Sequence, residues 1–298
     1  MDNNAKRRRA TGMIVSAMLI WGSIGVFRRQ IPVSSAFLAF SRGMLGGLFL
    51  LCFQLLFKKG GFRSLRPYVL LALCASGAAM GFNWILLFEA YSCTSVAAAT
   101  LCYYMQPTIV TLLSPLLFQE RLTRKKLLCA AVSLAGMALV SGVFGGAAPP
   151  EGHIKGVLLA LGAALLYSTV VIMNKKLSGI DAYSKTTVQL LSAGAVMLPY
   201  LLLSGSFPEA SVSVSTLALL LAVGLIHTGL AYLLYFGSIG DLKAQSVAIL
   251  SYIDPVSALL FSAVFLGEAL SIPALIGAAL IIGSAVVSER PAKNPDLR

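Results

Sequence analysis

Ten apolar stretches follow one another along the chain, at 11–28, 34–57, 67–89, 95–118, 124–143, 154–174, 184–204, 214–237, 244–266 and 271–288. Connectors carrying glycine, proline or charge separate them. A helix rises about 1.5 Å per residue, so roughly 20 apolar residues cross a hydrocarbon core about 30 Å thick. The pattern predicts an all-α membrane protein of about ten transmembrane helices. The longest connector, Gly145 to Gly152 with Pro149 and Pro150 at its centre, falls at the midpoint of the chain, where a linker between halves is expected. The implied layout is an N-terminal tail over 1–10, a five-helix unit over 11–144, a linker over 145–153, a second five-helix unit over 154–288 and a C-terminal tail over 289–298.

Composition agrees. The 298 residues are 58% hydrophobic and only 11% charged, against about 25% charged in a soluble domain. Mean hydropathy is +0.86. A water-soluble fold of this size could not hide so much apolar surface, so lipid must be the solvent for much of it. Lys6, Arg7, Arg8 and Arg9 ahead of the first apolar run resemble the start of a signal peptide, but no small-residue cleavage site follows and Trp21 lies inside the run. The segment reads as a retained first span.

A net charge of +12 raises nucleic acid as a partner. The basic residues instead cluster at span ends without the aromatic interleaving of a nucleic-acid platform. With the N-terminus inside, all of the 23 lysines and arginines fall on the inner side except Arg28, Arg29 and Lys155 outside and Arg42 within a span. This bias predicts that both termini are cytoplasmic, in a cell-membrane protein. The five cysteines form no C-x-x-C pair and mostly sit in apolar runs, so they read as small buried hydrophobes.

The two halves share a sequence unit. The fourth stretch reads Tyr104-Met105-Gln106-Pro107 with Glu120 thirteen residues beyond the proline, and the ninth reads Tyr252-Ile253-Asp254-Pro255 with Glu268 again thirteen beyond. At the same offset Leu112 matches Leu260, Ser114 matches Ser262 and Ala130 matches Ala278. Five spans per half is an odd number, so the second half enters the bilayer the other way up. Inverted repeats of this kind are typical of transporters, whose sites lie near mid-membrane where the repeats meet.

Together with Trp21-Gly22-Ser23 in the first stretch, the Pro107–Glu120 and Pro255–Glu268 units resemble the EamA family of the drug/metabolite transporter superfamily over essentially the whole chain. The second half departs from the pattern at its first stretch, where Tyr167-Ser168 replaces the tryptophan-bearing motif. The resemblance implies a ten-helix fold, a central cavity opening alternately to each side, and movement of amino acids, nucleoside-like metabolites or drugs.

Polar groups at membrane depth cost a few kcal/mol each on insertion scales, so each needs a reason. Asp254 lies about ten residues into its stretch, before a proline that frees backbone carbonyls. It is a candidate for binding a substrate amine or a transported proton, or for a structural pair with Arg42. Gln106 is its neutral counterpart. Arg42 could bind a substrate carboxylate, pair with Glu89 or snorkel outward. Glu120 and Glu268 are expected to cap the helices that follow them. Trp21, Trp84, Tyr103, Tyr104, Tyr167, Tyr232, Tyr235 and Tyr252, with Asn83, offer rings away from the interfacial belts, suited to lining an organic-ligand cavity. His227 is a second coupling candidate or a hydrogen-bonded structural residue.

Small residues four apart, Gly43 with Gly47, Gly77 with Gly81, Ala160 with Ala164 and Ala279 with Gly283, predict close helix packing and leave a homodimer open. Neither H-e-x-x-H nor a His/Cys cluster is present, so no cofactor, no metal and no enzymatic activity are expected. The reading is a secondary transporter of a small organic metabolite, with export favoured. A channel-like permease and a membrane enzyme are the alternatives.

Overall fold

The structure is a computed structural model that describes residues 3–57, 61–62, 65–119, 122–140, 151–177, 179–208, 212–242 and 244–289. Of the sequence-predicted linker over 145–153, residues 145–150 lie outside these residues, as does Glu120. Every described secondary-structure element is helical. In chain order they are α1 (Asn3–Gly22), α2 (Ile24–Gln30), α3 (Ser35–Phe57), α4 (Pro67–Cys93), α5 (Val96–Tyr103), α6 (Gln106–Phe118), α7 (Arg124–Val140), α8 (His153–Lys176), α9 (Ala182–Ser204), α10 (Val214–Leu221), a π-helical segment (Ala222–Leu230), α11 (Ala231–Ile239), α12 (Ala244–Ser251), α13 (Ile253–Leu266) and α14 (Ile272–Glu289).

Seven helical runs are long and apolar enough to cross a membrane: Ala5–Gln30, Ser35–Phe57, Pro67–Cys93, Val96–Phe118, His153–Lys176, Ala182–Ser204 and Val214–Ile239. Ile253–Leu266 and Ile272–Ser288 are shorter apolar helices. The chain is a multi-pass membrane protein. Leucines on the outer faces of these helices fit a lipid solvent, with Leu203 90% exposed and Leu116 81% exposed.

Four of the apolar stretches are not single helices. The run 95–118 breaks at Tyr104–Met105, and 244–266 breaks at Tyr252. Each break lies just ahead of a proline. Pro107 cannot donate to the carbonyl four residues earlier, at Tyr103, and Pro255 cannot donate to that of Ser251, which are the last residues of α5 and α12. Both prolines then sit in the first turns of α6 and α13, where a missing N–H costs nothing. The register is the same in both halves: α5 and α12 have equivalent bounds, and α6 and α13 end at equivalent residues. Gln119 (φ 56°) and Gly267 (φ 65°) then take the left-handed conformation. The first stretch breaks at Ser23, and 214–237 passes through the π segment.

Helices approach closely where side chains are absent. Gly43 of α3 lies against the backbone of Gly194 in α9, and Gly77 of α4 against Gln189 and Ser192 of the same helix, so α9 is seated between α3 and α4. Gly136 of α7 and Gly277 of α14 each face the other's carbonyl. Without a hydrophobic drive between helices in lipid, such van der Waals contact is the main source of cohesion. Gly283 faces open space, so the Ala279–Gly283 pair is not wholly part of an interface.

Candidate functional site

The helix breaks meet near the middle of the bundle. The Tyr104 hydroxyl, at the α5–α6 break, donates to Asp254 Oδ2 over 2.6 Å, at the start of α13. Tyr252, at the other break, holds its ring 6.5 Å from that of Tyr104. The two repeated units thus touch through their own Tyr and Asp side chains. Gly22 makes this possible from a third side: a methyl group there would collide with Ser257 Oγ and the Asp254 carbonyl. The first stretch therefore lies directly against the Asp254 turn.

Aromatic contacts form two series, one of which starts at Tyr104. Tyr104 contacts Tyr103 at 6.2 Å between centroids, and Tyr103 contacts Tyr167 of α8 at 5.7 Å. Trp21 of α1 contacts Tyr232 at 5.1 Å and Tyr235 at 5.5 Å. Such edge and tilted contacts are the favoured geometries for ring pairs. Gln106 is partly buried near α8, where Ser168 donates to its carbonyl.

Arg42 is 6% exposed, on α3. Its guanidinium lies over Trp84 of α4, 4.3 Å from the ring centroid, and Nε donates to Thr228 Oγ1 over 2.9 Å. Thr228 in turn donates to the Val223 carbonyl five residues back, a bond that follows the wider π-helical register. Among the described residues Arg42 pairs with neither carboxylate that the sequence offered it. Glu89 instead accepts from Ser35 Oγ at 3.0 Å, and Asp254 from Tyr104. Outward snorkelling does not occur either, because the guanidinium is sandwiched between helices.

Two other candidates are placed differently. Asn83 is fully buried and its amide donates to the Ala163 carbonyl over 2.6 Å, which ties α4 to α8. His227, in the π segment, shares a 2.9 Å hydrogen bond between Nε2 and Ser23 Oγ, while its carbonyl accepts from the Trp21 indole N–H at 2.9 Å. The Trp21-Gly22-Ser23 motif is thereby docked onto the π segment at the break in the first stretch.

Glu268 corrects an expectation. It does not cap the helix that follows it. Its carboxylate accepts from the N–H groups of Val96 (2.9 Å) and Ala97 (3.3 Å) at the start of α5, and pairs with Arg29 at 3.5 Å. A helix N-terminus does attract the acid, as expected from its partial positive charge, but the helix belongs to the other half. Sequence reasoning also passed over Thr228 and gave Ser23 no role beyond its motif. A polar pair such as His227-Thr228 within an apolar run was the available signal.

Comparison with known proteins places the chain. The profile of the EamA-like transporter family matches residues 9–142 and 154–289. The chain is 29% identical over 268 residues to the "Uncharacterized transporter YxxF" of Bacillus subtilis, covering 88% of this chain and 84% of that one. It is 27% identical to an "Uncharacterized transporter" of Archaeoglobus fulgidus, covering 95% and 97%, and 26% identical to "Protein PecM" of Dickeya dadantii, covering 70% and 69%. A crystal structure 23% identical in sequence superposes with a TM-score of 0.67 over 94% of this chain and 96% of its own, which shows a shared fold. With its family profile matched in both halves and its helices apolar, this chain belongs to the EamA-like transporter family of the drug/metabolite transporter superfamily, and is a membrane transport protein.

Proposed function

We propose that the protein is a secondary transporter that moves a small organic metabolite, such as an amino acid, an amine or a nucleoside-like compound, across the cytoplasmic membrane by alternating access, in the export direction. Taking α1–α2, α5–α6, α10 to α11 and α12–α13 as single broken spans gives ten, in two five-span repeats of opposite orientation with both termini cytoplasmic. The matched breaks ahead of Pro107 and Pro255 support this count.

The observation that carries the reading is the Tyr104–Asp254 hydrogen bond. It joins the two repeat units at their helix breaks, inside a set of rings supplied by α1, α5, α8 and α11. Broken helices near the midplane are where transporters of inverted-repeat type hold substrate. Asp254 is the acidic group, Tyr104 holds its carboxylate, and Trp21, Tyr167, Tyr232 and Tyr252 supply the apolar wall. Gln106 presents the neutral side. Rocking of the halves about the broken helices exposes this centre to one face at a time.

The test is flux in reconstituted vesicles. Asp254→Asn is expected to abolish saturable uptake of the substrate found by screening amino acids, amines and nucleosides for thermal stabilisation. Undiminished saturable transport with unchanged pH dependence removes Asp254 from the mechanism. A channel-like permease is separated by counterflow: a carrier preloaded with substrate accelerates tracer entry, and a pore does not.

A further inference from the structure

We propose that Arg42 is the receptor for a carboxylate on the transported compound, with Trp84 as the floor of that subsite. This rests on the transport reading above and narrows its substrate class to small organic acids and amphoteric molecules.

The argument begins with a charge that has no local use. Arg42 is a cation at membrane depth, 6% exposed, and among the described residues its only hydrogen bond is from Nε to Thr228. No described carboxylate lies within ion-pair distance of it. A glutamine could bridge to Thr228 without carrying a charge into lipid. Burying an uncompensated cation costs several kcal/mol, and the rings of Trp84 and Phe88 (4.3 and 5.8 Å from Cζ) return only part of it.

Geometry then says what would compensate it. A guanidinium stacked face-on over an indole has its N–H groups pointing sideways, in its own plane. The terminal nitrogens make no hydrogen bond to a described group and so present a planar fork, the shape that takes a carboxylate in two parallel bonds. The surroundings fix the orientation. Thr228 holds Nε from the π segment and Trp84 holds the plane from α4, so the fork is aimed by two elements before any ligand arrives. Arg42 and Asp254 make no ion pair with each other among the described residues. An acid that enters between them has its carboxylate drawn to Arg42 and any cationic nitrogen drawn to Asp254.

Trp84 makes the test direct, because the chain has only two tryptophans. Trp21→Phe leaves Trp84 as the single emitter beside the subsite. In the full-length protein in detergent, titration with benzoate is expected to change Trp84 emission saturably, while benzamide does not. Arg42→Gln in the same background is expected to weaken the benzoate response by about tenfold or more, and Arg42→Lys by less. Because Trp21 is itself part of the proposed wall, thermal shift of the wild-type protein with benzoate against benzamide makes the same comparison without that substitution. Equal responses to acid and amide, no saturable response to benzoate, or a benzoate response that survives Arg42→Gln each overturn the assignment. Transport of a neutral compound or a simple amine that still depends on Asp254 would leave the transport reading standing while removing the carboxylate subsite.

Discussion

The Glu268 carboxylate accepts hydrogen bonds from the backbone N–H groups of Val96 and Ala97, 2.9 and 3.3 Å away, although 172 residues separate Val96 from Glu268. A residue after α13 thus completes the first turn of α5, alongside the local cap in which the Ala98 N–H donates to Ser95 Oγ. Arg29, which also donates to the Thr94 carbonyl, clamps the same spot. Together these contacts tie the end of the second repeat to the start of the broken helix of the first.

Removal of this clasp is expected to loosen that end of the bundle. Glu268→Ala should destabilise the protein by about 1 kcal/mol, the usual worth of a helix cap. It should also raise thiol labelling of a Ser95→Cys probe by a membrane-impermeant maleimide. Glu268→Gln, which keeps an acceptor, should fall between. Labelling that stays at the wild-type level would show that the clasp does not hold this end closed.

Tyr104→Phe isolates the contact between repeats. The variant keeps the ring and removes one hydrogen bond to an acidic side chain, worth about 1.5–3 kcal/mol if the acid is ionised. Substrate affinity should then drop by about tenfold or more with the fold intact. An unchanged half-saturation concentration in vesicle flux would mean that Tyr104 does not shape the site.

Gly22→Ala probes the approach of the first stretch to the Asp254 turn. Its methyl group would meet Ser257 Oγ and the Asp254 carbonyl, and backbone cannot swing aside as a flexible side chain can. Overpacking of this kind costs about 1–3 kcal/mol, read as a lower melting temperature. Gly283→Ala is the control, since nothing lies within 4 Å of the added group, and it should be neutral or stabilising.

Orientation follows from charge and is tested by labelling. In a background with the native cysteines replaced, Pro150→Cys should react with an impermeant reagent from outside the cell, and Lys125→Cys only after the membrane is opened. Reaction of both from the same side would reverse the proposed inverted arrangement.

Apolar run length and helical rise were enough to place the helices: α3, α8, α9 and α14 start and stop within a few residues of the stretches read from hydropathy alone. The proline offsets likewise located the two centres, because a missing N–H disrupts a helix whatever its neighbours are. Other features depended on which surfaces meet, which periodicity does not encode. Glu268 chose the N-terminus of α5 because helix packing brought that positive end within reach. Arg42 stayed unpaired because α4 set Trp84 beneath it and the π segment set Thr228 beside it, while Glu89 and Asp254 were taken by hydroxyl donors. The π register itself, with its extra residue per turn, left no mark in the spacing of apolar residues along that run. The sequence by itself determined a membrane-embedded helical bundle with two proline-marked centres. Only the tertiary structure decided that those centres touch through Tyr104 and Asp254 and that a buried cation is held over Trp84 by Thr228, because both outcomes depend on distances between helices far apart in the chain.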